Sequence, residues 1–129
     1  MNTLASDLLA ILRRHPLVRN ARVVAFDETP LGRVELKIRC RLRGGYQFQV
    51  WLHVEPTSLD YTYQLFTEQP LLRWDSAPHY PKIATAPHHF HDEQGVVGAS
   101  PLYGDPRLDL PVVLDRIALW LQKQADLSA

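Results

Sequence analysis

The sequence has a single cysteine and no apolar run long enough to form a membrane-spanning helix. The lone thiol, Cys40, excludes a disulfide within the chain, which agrees with a reducing compartment. Residues 1–7 lack the basic region, apolar run and cleavage site of a signal peptide. We therefore expect a cytoplasmic protein with no membrane association.

The sequence also has no net charge, but its charges are unevenly distributed. Residues 1–50 carry nine basic and four acidic side chains, so the rest of the chain has a surplus of five acids. Eight of the nine basic residues are arginines, whose guanidinium groups suit bidentate contact with phosphate. The first half therefore predicts an anionic partner such as RNA, with an ordinary solvated surface as the alternative.

The chain length and apolar content indicate one domain, residues 1–129. An apolar content of 46% in 129 residues is enough for one core. Apolar residues at helical spacing predict a helix from Thr3 to Arg14, with Thr3 as its cap. A second helix is predicted to begin at about Pro111, since proline is favoured in the first turn.

Two central strands are predicted by strict alternation of apolar and polar residues over 33–43 and 46–55. A three-residue loop, Arg43-Gly44-Gly45, keeps apolar residues opposite apolar residues, pairing Cys40 with Phe48. A two-residue loop would mix the faces. The preferred register leaves a largely basic face.

Further strands are predicted at 21–26, 61–66 and 71–74, whereas prolines and glycines predict an irregular segment from Asp75 to Pro106. The fold class is therefore α+β, with a single mostly antiparallel sheet of four to six strands. The N- and C-terminal helices are predicted to pack on one face of that sheet.

Residues 71–91 hold four of the six histidines and three of the ten prolines. Imidazole titrates near neutrality, so such a group of histidines suits proton transfer or metal binding. Long ordered loops often carry function. The candidate catalytic residues are Asp75, His79, His88, His89 and His91.

Metal-free RNA cleavage is one chemistry that these residues allow. A base must take the proton of the 2′-hydroxyl, an acid must protonate the leaving oxygen, and cations must hold the phosphate. We expect His88 and His91 to be the acid/base pair, with Asp75 orienting His79. The expected substrate-binding residues are Arg39, Arg41, Arg73, Trp74 and Tyr80, of which the two aromatic side chains would stack unpaired bases.

Two alternatives use the same residues. The histidines could bind zinc, completed by a carboxylate, in a zinc-dependent hydrolase, although no metal-binding motif of specific spacing is present. In the other alternative the histidines make structural hydrogen bonds in a rigid loop of a non-enzymatic protein-binding module. The leading interpretation requires neither a metal nor another cofactor.

The segment contains two motifs, Trp74-Asp75-Ser76-Ala77-Pro78-His79 and Ala86-Pro87-His88-His89-Phe90-His91. They resemble the paired motifs aromatic-Asp-Asn-Ala-Pro-His and Pro-His-His-Lys-His of TumE-type toxins from TumE/TumA toxin-antitoxin modules. Ser76 stands where the family has Asn. Phe90 stands where it has Lys, so a phosphate contact from that cation is expected to be absent.

The resemblance implies a growth-inhibiting toxin that is neutralised by a small protein antitoxin. It places the five candidate catalytic residues on motif positions of the family. RNA cleavage is the usual expectation for small cytoplasmic toxins of this size, and it enters as an analogy between classes of protein. A homodimer is a further expectation.

Overall fold

The computed structural model describes residues 2–128 of the chain. Its elements in chain order are α1 (Thr3–Arg14), β1 (Val18–Glu28), β2 (Val34–Leu42), β3 (Gln47–Glu55), β4 (Ser58–Phe66), β5 (Pro70–Asp75), β6 (His89–His91), β7 (Val97–Ala99) and α2 (Pro106–Ser128). No helix within residues 2–128 combines the length and the apolar content needed to cross a membrane.

The strands form one antiparallel sheet in which each strand pairs with the next in the sequence. Alternate side chains of β2 to β5 are buried and form a single core with the apolar stripes of both helices. Leu8 of α1, Ile38 of β2 and Leu114 of α2 are all fully buried in that core. Both helices therefore cover one face of the sheet, and we call the opposite face the open face.

The predicted pairing of the two central strands is confirmed. Cys40 lies opposite Phe48 in the β2–β3 ladder, and the backbone N–H of Leu42 donates to the carbonyl of Tyr46 at 2.8 Å. The loop between them contains two consecutive glycines with positive φ, a backbone conformation that other residues rarely adopt. The alternation therefore places the apolar side chains of β2 and β3 on the face that packs against the helices, and the basic side chains of β2 on the open face.

The prediction that the sheet has four to six strands is wrong, because it has seven. The two additional strands, β6 and β7, lie in the segment predicted to be irregular. Each is three residues long, too short to show an alternating pattern. Asp92 closes the turn between them, since its side chain accepts the backbone N–H groups of Gln94 and Val96, each at 2.9 Å.

The predicted helix from Thr3 to Arg14 is confirmed, but its predicted cap and the predicted start of the closing helix need correction. Asn2, not Thr3, caps α1, because its side-chain oxygen accepts the backbone N–H of Ala5 at 2.9 Å. The closing helix begins at Pro106 rather than at Pro111, which lies inside it. Asp105 precedes Pro106 and accepts backbone N–H groups of the first turn, so the first proline takes the favoured first position.

Candidate functional site

The open face carries a compact polar group where β5 and β6 pair. Arg73 lies opposite His91, and Asp75 lies opposite His89. The nearest ligand atoms of Asp75, His89 and His91 all lie within 4.8 Å of one another, and the two imidazole centroids are 5.0 Å apart. We call these four residues the β5–β6 cluster. The structure thus brings together three of the five predicted catalytic residues and one predicted phosphate-binding arginine.

Asp75 is held at the centre of this cluster. Its carboxylate is 4% exposed, and one oxygen accepts two hydrogen bonds from the Arg73 guanidinium, the Nε contact measuring 2.9 Å. The other oxygen accepts the backbone N–H of Ala77 at 2.7 Å. Such charged and backbone donors replace the hydration that a carboxylate loses on burial. Arg73 is therefore positioned by Asp75 beside His91.

His89 is almost completely buried, at 1% exposure. Its Nδ1 lies 2.9 Å from the carbonyl oxygen of Pro87. A carbonyl only accepts, so Nδ1 must carry the proton, which leaves Nε2 as the nitrogen available for chemistry. The ring of Tyr80 covers His89, with the ring centroids 4.7 Å apart.

His91 is the more accessible imidazole of the cluster. Partial burial lowers its pKa, the neighbouring His89 and Arg73 lower it further, and Asp75 opposes the shift. The neutral ring is therefore favoured at physiological pH, as a general base requires. The rings of Tyr80 and His91 also meet edge to face, with centroids 5.8 Å apart.

Within residues 2–128, Asp75, His89 and His91 form a group of side chains that could hold a metal. One carboxylate and two imidazoles suit zinc or another transition metal. The bond from His89 Nδ1 to a backbone carbonyl orients the ring as in many metal sites. The ion pair of Asp75 with Arg73 disfavours metal binding, because the guanidinium already bonds to a carboxylate oxygen that a metal would need.

His88 lies on the other side of the sheet. Its Nδ1 is 2.8 Å from the hydroxyl of Tyr61, a residue whose side chain is in the core, and the two rings stack at 5.8 Å. A Cβ added to Gly104 would lie 3.3 Å from His88 Cε1. The predicted acid/base pair of His88 and His91 is therefore not brought together.

Two further predicted positions also differ from expectation. His79 is exposed on the loop after β5, whereas Asp75, predicted to orient it, bonds to Arg73 and Ala77. Trp74 is 2% exposed in the core and packs on Phe90 at 4.9 Å. Its indole is therefore not available to stack a base. Tyr80, 38% exposed, does lie at the cluster.

The basic part of the open face lies on β1 and β2. Arg22 is opposite Arg39, and the Arg39 guanidinium donates to the side-chain oxygen of Gln49 at 2.7 Å. A cavity of about 550 Å³ is lined by residues of this region, including Arg22, Arg39 and Arg41. The predicted substrate residues Arg39 and Arg41 are thus on the same face as the β5–β6 cluster.

Trp51 was missed as a functional candidate. It is partly exposed on the open face, beside Lys37 on β2 and Thr62 on β4, and its ring stacks on His53 at 6.2 Å. The signal was in the sequence, because Trp51 is in phase with the polar Gln49 and His53 and alternates with the apolar residues of its strand.

The chain was compared with known proteins. The family described as Toxin TumE matches residues 8–121, a range that contains the whole sheet and the β5–β6 cluster. The comparisons with curated proteins and with solved structures gave no match. The family match spans most of the chain and confirms the resemblance predicted from the two motifs, and the protein therefore belongs to the TumE toxin family.

Proposed function

We propose that the protein is a growth-inhibiting toxin that cleaves RNA at the β5–β6 cluster and is neutralised by a cognate antitoxin protein. Membership of the TumE family supports the toxin role and the antitoxin partner. The convergence of Arg73, His89 and His91 on the open face supports the chemistry, and it is the observation that carries the proposal. The proposed site of action is the cytoplasm.

The reaction is transfer of the phosphodiester to the adjacent 2′-oxygen. The neutral ring of His91 takes the 2′-hydroxyl proton as the oxygen attacks phosphorus. The bond from phosphorus to the 5′-oxygen breaks, and that oxygen receives a proton from Nε2 of His89. His89 enters this step as the imidazolium, protonated on both nitrogens, and leaves it as the neutral ring that keeps the Nδ1 proton on the Pro87 carbonyl. The products are a 2′,3′-cyclic phosphate and a 5′-hydroxyl end. No redox step or co-reactant is needed.

The remaining residues hold the reacting groups. Arg73 donates to the phosphate oxygens, whose negative charge grows as the 2′-oxygen attacks. Asp75 fixes Arg73 and provides a negative charge near both imidazoles. Tyr80 covers His89, so its ring must move when the substrate enters and can then pack against a base or sugar.

Expression in growing cells, with total RNA examined at the same times, tests this proposal. The wild-type chain should arrest growth and yield RNA fragments with cyclic phosphate ends, whereas His91→Ala should do neither. His79→Ala is the matched control, because it removes an exposed imidazole from the same segment and should leave the toxin active. Arrest with intact RNA would show that the toxin acts on another target.

One observation favours a zinc-dependent hydrolase as a second candidate. The ligand atoms of Asp75, His89 and His91 lie within 4.8 Å of one another, so modest side-chain movement would bring them to the bond lengths of zinc. Elemental analysis of the purified chain separates the candidates. One zinc per chain, lost together with RNA cleavage on chelation, would replace the metal-free reaction. Cleavage that persists in chelator would exclude this candidate.

A further inference from the structure

We infer that the open face binds single-stranded RNA along a row of side chains that crosses six strands, with Trp51 as a stacking platform for one base. The inference rests on the proposed function for the identity of the substrate, but binding can be measured without cleavage. It assigns a function to the part of the open face that the β5–β6 cluster does not use.

The row follows from the pairing of the strands. Arg22 is opposite Arg39, which is opposite Gln49, and the row then continues through Gln64 and Arg73 to His91. All six side chains are polar and lie on the open face, and all are partly or fully exposed. Neighbouring strands are about 4.8 Å apart, so five steps cover roughly 24 Å along the twisted sheet.

The charges along this row suit a phosphate backbone. Arg22 and Arg39 lie at one end, with Arg41 beside them, and Arg73 lies at the reacting end. The two glutamines between the arginines can bond to sugars and bases without adding charge. An RNA strand that reaches from Arg22 and Arg39 to the β5–β6 cluster therefore meets cationic side chains at both ends of the row and neutral polar side chains between them.

Trp51 lies beside this row, two positions along β3 from Gln49. Trp51 is opposite Thr62 of β4, Thr62 is opposite Asp75 of β5, and Asp75 is opposite His89 of β6. The ring of His53 stacks on the indole at an interplanar angle of 14°. The imidazole of His53 is hydrogen-bonded to Glu55 at 2.8 Å, which limits the positions of the imidazole and of the indole that stacks on it. A partly exposed indole fixed between the arginines and the histidines is suited to stack a base.

The platform requires an unpaired base. In an A-form duplex the bases are stacked inside the helix and cannot lie flat on a side chain of a sheet, whereas single strands present them. Sheet surfaces that combine aromatic and basic residues bind single strands through this combination of stacking and charge. An acidic peptide would satisfy the arginines but would make no use of the indole.

The binding experiment uses the full chain and a 2′-O-methyl RNA strand, which lacks the nucleophile and cannot be cut by the proposed reaction. Trp51→Leu should weaken binding by about 5- to 150-fold, the range for loss of one stacked base. Trp51→Tyr should retain most of the affinity. Tyr103→Ala is the control, because Tyr103 is an 84% exposed aromatic that lies outside the sheet.

Salt dependence tests the row of arginines. Arg39→Gln should reduce the slope of log affinity against log salt by about 0.7, the loss of one phosphate contact with a single strand. Arg116→Gln removes the same charge from an exposed position of α2, on the opposite side of the sheet, and should leave the slope unchanged.

Tryptophan fluorescence gives a readout that does not depend on the fold of a weakened variant. The RNA strand should quench the emission of the wild-type chain, while Trp51→Tyr should bind without that quenching. Of the other two tryptophans, Trp74 is buried in the core and Trp120 lies on α2 against Tyr46, on the opposite side of the sheet.

Several outcomes would overturn the inference. They are equal affinity for a duplex of the same 2′-O-methyl RNA, unchanged affinity of a folded Trp51→Leu variant, and displacement of the bound strand by polyglutamate as readily as by unlabelled strand. Equal binding of a DNA strand of the same sequence would overturn the assignment to RNA. Failure of cleavage in cells with these binding results intact would remove the proposed reaction and leave the binding site.

Discussion

His88 is predicted to contribute to folding rather than to the reaction, although it belongs to the same histidine-rich motif as His91. Its Nδ1 lies 2.8 Å from the hydroxyl of Tyr61, which is 1% exposed. The two rings also stack with centroids 5.8 Å apart. His88→Ala therefore leaves a buried hydroxyl without its partner, on the side of the sheet that the proposed reaction does not use.

The expected cost has two parts. A buried hydroxyl that loses its partner costs about 1–3 kcal/mol. The lost ring contact adds about 0.5–1.5 kcal/mol. The free energy of unfolding should then fall by roughly 2–4 kcal/mol, and for a chain of this length each kcal/mol lowers Tm by about 4 °C. A decrease of roughly 8–16 °C is expected.

Thermal unfolding of four chains measures this contribution: the wild type, His88→Ala, Tyr61→Phe and the double variant. Tyr61→Phe removes the hydroxyl and leaves a half-buried imidazole that can find water, so its cost should be smaller, about 1 kcal/mol. The double variant should cost less than the sum of the single variants, because the partners are in contact. RNA cleavage below the lowered Tm should be close to that of the wild type.

The reasoning is refuted if His88→Ala unfolds at the wild-type temperature and has lost cleavage. That result would place His88 in the reaction and would require that it reach the open face. A matched loss of cleavage in Tyr61→Phe, again without a change in Tm, would show that the pair acts together in the chemistry.

Three other predictions concern groups whose surroundings are defined by the structure. The His91 midpoint in an NMR titration should lie below the ordinary imidazole value of about 6.5, so the base stays neutral as pH falls through that value, and Arg73→Gln should raise it; a midpoint above 6.5 contradicts this. Burial raises the pKa of Cys40 to about 12, so an alkylating reagent at pH 8 should modify the unfolded but not the native chain, and rapid native labelling would place the thiol on the open face. Asp109 is buried and accepts two backbone N–H groups, at 3.1 and 2.8 Å, so Asp109→Ala should cost roughly 3 kcal/mol in thermal unfolding; an unchanged Tm would show that these bonds do not stabilise the loop.

The central sheet was predictable because its pattern is long and strict. A slip of one residue between β2 and β3 would have exposed a whole row of apolar side chains, and so the alternation alone selected the loop length. Arg33 and Glu55, paired by that register, form an ion pair at 2.9 Å. The same alternation identifies Trp51 as an open-face residue and Trp74 as a core residue, since Trp74 is in phase with the buried Leu72.

The division of the histidines was not predictable without knowing that 89–91 is a strand. In an irregular loop His88 and His91 have no fixed relation, so pairing them was reasonable on chemistry alone. In an extended chain, residues separated by three positions point to opposite faces. That relation depends on the β5–β6 pairing, a contact between segments separated by the loop from 76 to 88. Short strands are defined by such partners more than by their own pattern.

The two departures from the family motifs both fall outside the β5–β6 cluster. Ser76 is 6% exposed, and its hydroxyl oxygen accepts the backbone N–H of Tyr61 at 2.9 Å, which extends the contact between β4 and the end of β5. Phe90 lies opposite Trp74 and packs on it on the helix side of the sheet. The side chain of a lysine at position 90 would leave the backbone on the helix side of the sheet, away from Arg73 and His91. The absence of that cation therefore removes no phosphate contact from the open face, and both departures are changes of packing around an intact group of Arg73, Asp75, His89 and His91.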